Sequence, residues 1–181
     1  VGNNGLNRCV EEFGFKETGK ILDKLSQLVE ETFENSDNEL KDGMDISLLK
    51  IDRTYSIDAT IKLQWSGANN PLWILKNDSL EIMEIKADKQ PIGKFEHKQS
   101  FVTHQLELQR NDLLYLFTDG YADQFGGPNG KKFKYKQIED HILRLDQMEM
   151  QAQRAEFEKV FFSWKGDLEQ VDDICMIGIK L

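Results

Sequence analysis

Two apolar runs in this chain end on carboxylates. One is Leu113-Leu114-Tyr115-Leu116-Phe117, followed by Thr118-Asp119-Gly120. The other starts acidic, Val171-Asp172-Asp173, and leads into Ile174-Cys175-Met176-Ile177. The first run is apolar at odd and even positions alike, so as a strand it has to be covered on both faces, which places it centrally in a sheet. A carboxylate at the end of a buried strand is costly unless something positive meets it. If the fold brings Asp119 and Asp172 together, the two like charges need a cation or a proton between them. A hard divalent metal held by carboxylate oxygens answers that need.

The rest of the pattern sets the frame for these two strands. Gly5 to Phe13 reads as a short helix. From Thr18, which is placed to cap it, a stronger helix carries Ile21, Leu22, Leu25, Leu28, Val29 and Phe33 on one face. Asn35-Ser36-Asp37-Asn38 ends it as a solvated turn. Alternation then predicts strands through Met44, Ile46 and Leu48 and through Tyr55 to Trp65, with Asp52-Arg53-Thr54 connecting them. Further strands follow at Leu72–Leu75, around Leu80–Ile85, at Val102–Leu108 and at 113–117, with a turn at Arg110-Asn111-Asp112. After a breaker-rich loop from Gln124 to Lys132 come helices near Lys136–Leu145 and Met148–Trp164, Gly166 as a stop, and a last strand Ile174–Ile179. Helices, a meander of strands, helices again and one final strand predict an α+β fold.

A length of 181 residues is enough for one domain with a sizeable core. The formal charge of −9, with no basic stripe interleaved with aromatics, argues against a nucleic-acid partner. Cys9 and Cys175 show no CxxC spacing; Cys175, inside an apolar run, is expected as a buried thiol rather than a nucleophile. A reducing, cytoplasmic setting is the expectation. No apolar run has the length of a bilayer span and no signal peptide is recognisable. Because the chain starts at Val1, it is expected to be part of something longer.

Each candidate has a bland reading beside the chemical one. Asp119-Gly120 is either a metal ligand or an Asp-Gly turn at a strand end. Asp172 and Asp173 point to opposite faces if strand geometry holds there, so one of them faces a site shared with Asp119. Asp123 is either an outer neighbour of such a site or a solvated loop acid. Asp42 and Asp45 read as a polar turn, Lys131-Lys132 as a solvated charge pair, and Phe157, Val160, Phe161 and Trp164 as a core stripe. His97, His104 and His141 have no metal-ligand spacing. No phosphate-cradling loop and no Ser/His/Asp arrangement is present.

Five segments, taken in order, resemble one family: Asp42-Gly43-Met44-Asp45-Ile46-Ser47, Ser66-Gly67-Ala68-Asn69-Asn70-Pro71-Leu72, Pro91-Ile92-Gly93, Leu116-Phe117-Thr118-Asp119-Gly120 and Asp172-Asp173-Ile174. The chain is similar over essentially its whole length to SpoIIE-type phosphatases, which belong to the metal-dependent (PPM, PP2C-like) serine/threonine protein phosphatases. The resemblance implies an α+β fold, an antiparallel β-sandwich flanked by helices, with two Mn²⁺ or Mg²⁺ ions at one end. It implies that Asp119 and Asp172 are metal ligands, and that Gly120, Asp123 and Asp173 adjoin them without being assigned as ligands. The activity implied is hydrolysis of phosphoserine or phosphothreonine in a protein by a metal-activated water, without a covalent intermediate. Implied partners are a phosphoprotein such as an anti-sigma-factor antagonist, and upstream sensor or regulatory domains of a bacterial signalling protein.

One departure from the family pattern generates further expectations. The family opens with a Gly-Asp segment and then an Asp-Gly-x-Gly or Thr-Gly-His-Gly stretch ahead of a helix, whereas Val1-Gly2-Asn3-Asn4 falls inside that helix. The chain is therefore expected to be the C-terminal portion of a single domain (residues 1–181), to lack its first strands and part of its metal shell, and to be inactive alone. Uncovered sheet edges lead to an expectation of self-association, as a strand-paired dimer. Two other readings stay open: a non-catalytic regulatory interaction domain of the same shape, and a simple carboxylate Ca²⁺ or Mg²⁺ site in an unrelated α+β domain.

Overall fold

The computed structural model of the chain describes residues 2–34, 43–52 and 60–181. Along the chain come helix α1 (Gly2–Asn7), a π-helical turn (Arg8–Glu12), α2 (Thr18–Glu34), and strands β1 (Ile46–Ile51), β2 (Ile61–Ala68), β3 (Leu72–Leu75), β4 (Ile82–Ile85), β5 (His104–Leu108) and β6 (Leu113–Phe117). Then follow α3 (Gly120–Asp123), a small hairpin of β7 (Phe125–Gly126) and β8 (Lys131–Lys132), α4 (Tyr135–Leu145), α5 (Met150–Lys165) and β9 (Met176–Lys180). The mixed helical and antiparallel architecture agrees with the α+β expectation. The 35–38 turn, Asp42, and the Arg53-Thr54 connection with the strand's Tyr55, Ile57 and Ala59 lie outside the described residues.

One compact unit comprises Val1–Leu72 and Lys86–Leu108. Its sheet has the order β1-β2-β5, with Ile46 opposite Ala68 and Trp65 opposite His104. The amphipathic face of α2 buries Ile21, Leu22, Leu25, Leu28 and Val29 with Cys9, Ile92 and Phe101. Thr18 does not cap α2; it is the helix's first residue, and its Oγ1 bonds Ser66 Oγ at 2.7 Å. Ser66 Oγ gives its own proton to Val102 O, so the Thr18 hydroxyl is the donor in that pair. A buried threonine that satisfies a strand residue instead of its own helix end ties α2 to β2.

The other unit comprises Trp73–Ile85 and Gln109–Leu181. Its sheet runs β4-β3-β6-β9, and β6 pairs antiparallel with β9, Leu113 opposite Lys180 and Phe117 opposite Met176. All five residues of β6 are buried, as the unbroken apolar run requires of a central strand. One β6 face (Leu113, Tyr115, Phe117) packs with Trp73, Tyr121, Phe133, Ile138, Ile142, Phe157 and Phe161. The entry to β6 is fixed by Asp112, only 4 % exposed, whose two carboxylate oxygens accept the Asn77 N–H at 2.9 Å and the Gln109 N–H at 2.8 Å. Asn111, at φ 73°, makes the left-handed turn before it, which asparagine tolerates.

His141, on α4, stacks on the Phe133 ring at 5.9 Å, with its Nδ1 2.6 Å from an Arg144 guanidinium nitrogen. Burial, and after it the Arg144 charge, hold this imidazole below its ordinary value. A base whose folded-state value is depressed costs stability as pH falls below its unfolded value of about 6.5, because the unfolded chain takes up the proton first. The denaturant midpoint of the wild type is therefore expected to drop more between about pH 7.5 and about pH 5.5 than that of His141→Gln. Equal drops in the two proteins would remove His141 as the cause.

Candidate metal centre

The site lies where β6 ends. Three residues past the buried Phe117 the chain has turned into α3, and Asp119 stands between the two as an exposed residue. It occupies the N-cap position of α3 yet makes no capping bond, its backbone being helical (φ −71°, ψ −18°). A capping aspartate has extended backbone and gives its oxygens to the first turn. Asp119 does neither. Its carboxylate forms no hydrogen bond or ion pair among the described residues.

Thr118 joins this corner to the second acidic segment. Its Oγ1 donates to Asp173 O and accepts from Cys175 N, both at 3.0 Å, while its own N–H donates to Cys175 O at 3.0 Å. Gly120 closes the gap: a Cβ there would lie 2.5 Å from Asp173 O, nearer than any side chain can approach backbone. Residues 118–120 and 173–175 are thus held against each other.

Asp172 is exposed, and its Oδ1 accepts the N–H of Asp173 at 2.7 Å while its backbone carbonyl accepts from Gln170 Nε2 at 2.7 Å. This local turn fixes the aspartate and leaves its second oxygen free. Asp173 is exposed and takes part through its backbone. The expected strand alternation of these two residues does not apply, because β9 begins only at Met176 and the Thr118 clasp holds 173–175 in irregular backbone. Asp123 has a partner already, Lys132 at 2.9 Å.

Cys175 is exposed, contrary to the buried thiol expected from its apolar neighbours. The reason is position: it precedes β9, the last strand in the sheet order, whose Ile177 is itself 50 % exposed. Cys175 lines a cleft of about 730 Å³ with Tyr115, Met150, Phe157, Phe161 and Met176. Burial keeps the phenols of Tyr115 and Tyr121 protonated well above neutral pH, and both are bonded within the core, to Gln153 Oε1 and Phe157 O.

Two residues that the sequence patterns do not single out pack on Trp73, in the same unit as Asp119. Glu84 accepts a hydrogen bond from Trp73 Nε1 at 3.1 Å. Tyr135 packs its ring on Trp73 and Phe117, with centroids 6.1 and 6.0 Å away. Its phenol is pushed up by burial and then by the charges of Asp119, Asp123 and Glu84. No local sequence signal marks either residue; both arrive from other elements of the same unit.

Carboxylate oxygens are the donors that Mg²⁺ and Mn²⁺ take, and Asp119 and Asp172 fit that chemistry in being exposed and at least half free. No group of three histidine, cysteine, aspartate or glutamate side chains poised for a metal occurs among the described residues.

Comparison with known proteins places this geometry. The family model Stage II sporulation protein E (SpoIIE) matches residues 9–181. No curated protein sequence matches the chain. Among solved structures, the SiaA-PP2C domain of Pseudomonas aeruginosa is similar with a TM-score of 0.85 at 22% identity, over 100% of this chain and 68% of that one. RsbX in complex with magnesium is similar with a TM-score of 0.61 at 15% identity, over 98% of this chain and 71% of that one. The SpoIIE phosphatase domain of Bacillus subtilis follows with 0.54 at 15% identity, over 99% and 73%. At these identities the structural likeness speaks to the fold, which is PP2C-like.

The clasp can be tested directly. Thr118→Val keeps the shape of the side chain but removes its donor and acceptor, and is expected to cost about 1–2 kcal/mol, the worth of two partly exposed hydrogen bonds. Amide exchange at Cys175 should accelerate with it. Unchanged exchange would show that the strand pairing alone holds the segment.

Proposed function

Since the chain belongs to the SpoIIE family, we propose that it forms the phosphatase domain of a bacterial signalling protein, hydrolysing phosphoserine or phosphothreonine in a phosphoprotein with the help of Mn²⁺ or Mg²⁺. One observation carries the reading. Thr118 and Gly120 fasten the Asp119 corner to the Asp172–Asp173 segment, so two exposed carboxylates with free oxygens share one end of β6. In this reading Asp119 and Asp172 bind the metal, and Thr118 and the Asp172 turn orient them. Bound divalent ions supply charge that stabilises the entering and leaving oxygens of an in-line displacement and acidify the attacking water. In this reading water is the nucleophile and no phosphoenzyme forms.

The residues that carry this chemistry supply only part of a dinuclear shell. The 181-residue chain on its own is therefore expected to release phosphate slowly or not at all from a phosphoserine peptide. The reading also carries the finer partner assignments: an anti-sigma-factor antagonist as substrate, upstream sensor or regulatory domains, a strand-paired homodimer and a cytoplasmic location. Among the described residues no helix is long and apolar enough to cross a membrane.

Asp119→Asn tests the assignment. Since Asp119 is exposed and unpaired, the substitution is expected to change stability by less than about 0.5 kcal/mol. It should abolish whatever Mn²⁺ binding calorimetry detects in the wild type. Retained binding would remove Asp119 from the ligand set, and metal-independent behaviour of both proteins would favour a regulatory interaction domain that has kept the fold without the chemistry.

A further inference from the structure

Four lysines crowd into the six residues Lys131-Lys132-Phe133-Lys134-Tyr135-Lys136, in a chain whose formal charge is −9. No acidic residue lies between Asp123 and Glu139. Lys132 is paired with Asp123 at 2.9 Å, and Lys136 with Glu139 and Asp140 at 3.2 and 3.3 Å. Lys131 and Lys134 are exposed and have no ion pair among the described residues. Lys134 does nothing for the helix it precedes: at the N-cap of α4 it makes no capping bond, and a cation there opposes the helix macrodipole.

Lys134 is also held at a conformational cost. Its φ of 71° and ψ of 150° lie in a backbone region that glycine tolerates and lysine does not. A glycine would relieve the strain, yet a lysine stands there. The mount beneath it is rigid. Lys134 N–H donates to Ala122 O at 2.7 Å, and Phe133 N–H to Gln124 O at 3.0 Å. The β7–β8 hairpin pairs Gly126 with Lys131 and Phe125 with Lys132, and it is backed by Trp164. Gly127 N–H donates to Trp164 O at 2.7 Å, and no Cβ fits at Gly126. Asp123 N–H in turn donates to Asp119 O at 2.9 Å, across one turn of α3. The segment that carries the lysines is thus bonded to α3 within a turn of the candidate metal ligand.

We propose that Lys131 and Lys134 form a docking surface for acidic residues that flank the phosphorylated residue of the substrate. The inference rests on the phosphatase reading and names a chemistry for its substrate. Charge complementarity selects the occupant: two unpaired cations on a rigid mount offer a short acidic segment fixed partners. A lipid surface or a nucleic acid calls for a broader basic field, whereas Asp123, Glu139 and Asp140 border this one.

Two phosphoserine peptides test it, one with aspartate and glutamate around the phosphoserine and one with asparagine and glutamine there. Each is titrated into the chain by fluorescence anisotropy at low ionic strength without metal. The wild type should bind the acidic peptide about fivefold more tightly than the neutral one, and the Lys131→Gln/Lys134→Gln chain should lose that preference. Lys134→Arg keeps the charge and should keep the preference. Lys134→Gly relieves the backbone, so it should melt no lower than the wild type while its preference falls. Equal affinity for the two peptides, or a preference that survives Lys131→Gln/Lys134→Gln, would overturn the docking surface alone. A lysine-dependent preference in a chain whose Mn²⁺ binding is indifferent to Asp119→Asn would instead overturn the substrate role, through the phosphatase reading. Tighter, lysine-dependent binding of phosphatidylserine vesicles would overturn the choice of a peptide.

Discussion

The burial of β6 on both faces is the constraint from which the candidate site follows. Each of its five residues is buried, and a fully buried large apolar side chain contributes about 1.5–3 kcal/mol relative to leaving it exposed. The hydrogen bonds of Thr118 are worth about 0.5–1.5 kcal/mol each by comparison. Position and orientation therefore have different origins. The core decides where the strand ends, and so where Asp119 emerges into solvent. The pairing of Phe117 with Met176 brings the acidic segment to that strand end, and the weaker clasp of Thr118 holds it there.

The aspartates of this acidic chain divide by what their oxygens already hold. Asp112 accepts two backbone N–H groups; Asp23 accepts the Phe101 N–H, Asp88 the Val102 N–H, and Asp45 the Asn69 amide. Asp123 is paired with Lys132. Each of these stabilises a loop, and converting it to a ligand would leave a backbone, amide or charged donor unsatisfied. Asp119 carries no such obligation, and Asp172 meets its own with one oxygen.

Much of the fold was legible because its elements are set by local periodicity. Strand 113–117, strand 72–75, the amphipathic face of α2 and the helical stretches of α4 and α5 occur where the pattern places them, within a few residues. What escaped the sequence depends on partners distant along the chain. Thr18 looked like a cap because Ser and Thr usually cap, yet Ser66 takes its hydroxyl. Cys175 looked buried because its neighbours are apolar, yet it precedes the last strand of the sheet. In the candidate site the two acidic segments were legible as strand ends. Tyr135 and Glu84 were not, since their contacts with Trp73 arise only once α4 and β4 pack on β3.

The five segments that carry the family resemblance turn out to be one another's contacts. In the first unit, Met44 and Ile92 exchange N–H···O bonds at 2.9 and 2.8 Å, and a Cβ on Gly43 would lie 2.6 Å from the Pro91 ring. Asp88 bonds both Gly67 and Asn69 there, and Asn69 reaches back to Asp45 at 2.8 Å. In the other unit, Thr118 and Gly120 meet Asp173 and Cys175. At such points one residue type is required, either because no Cβ fits or because one side chain must donate and accept at once. The helices need only apolar side chains of suitable volume, and many sequences provide those. A family whose solved members share so few identities with this chain is thus recognisable from its turns and strand ends, where backbone contacts rather than apolar volume fix the residue type.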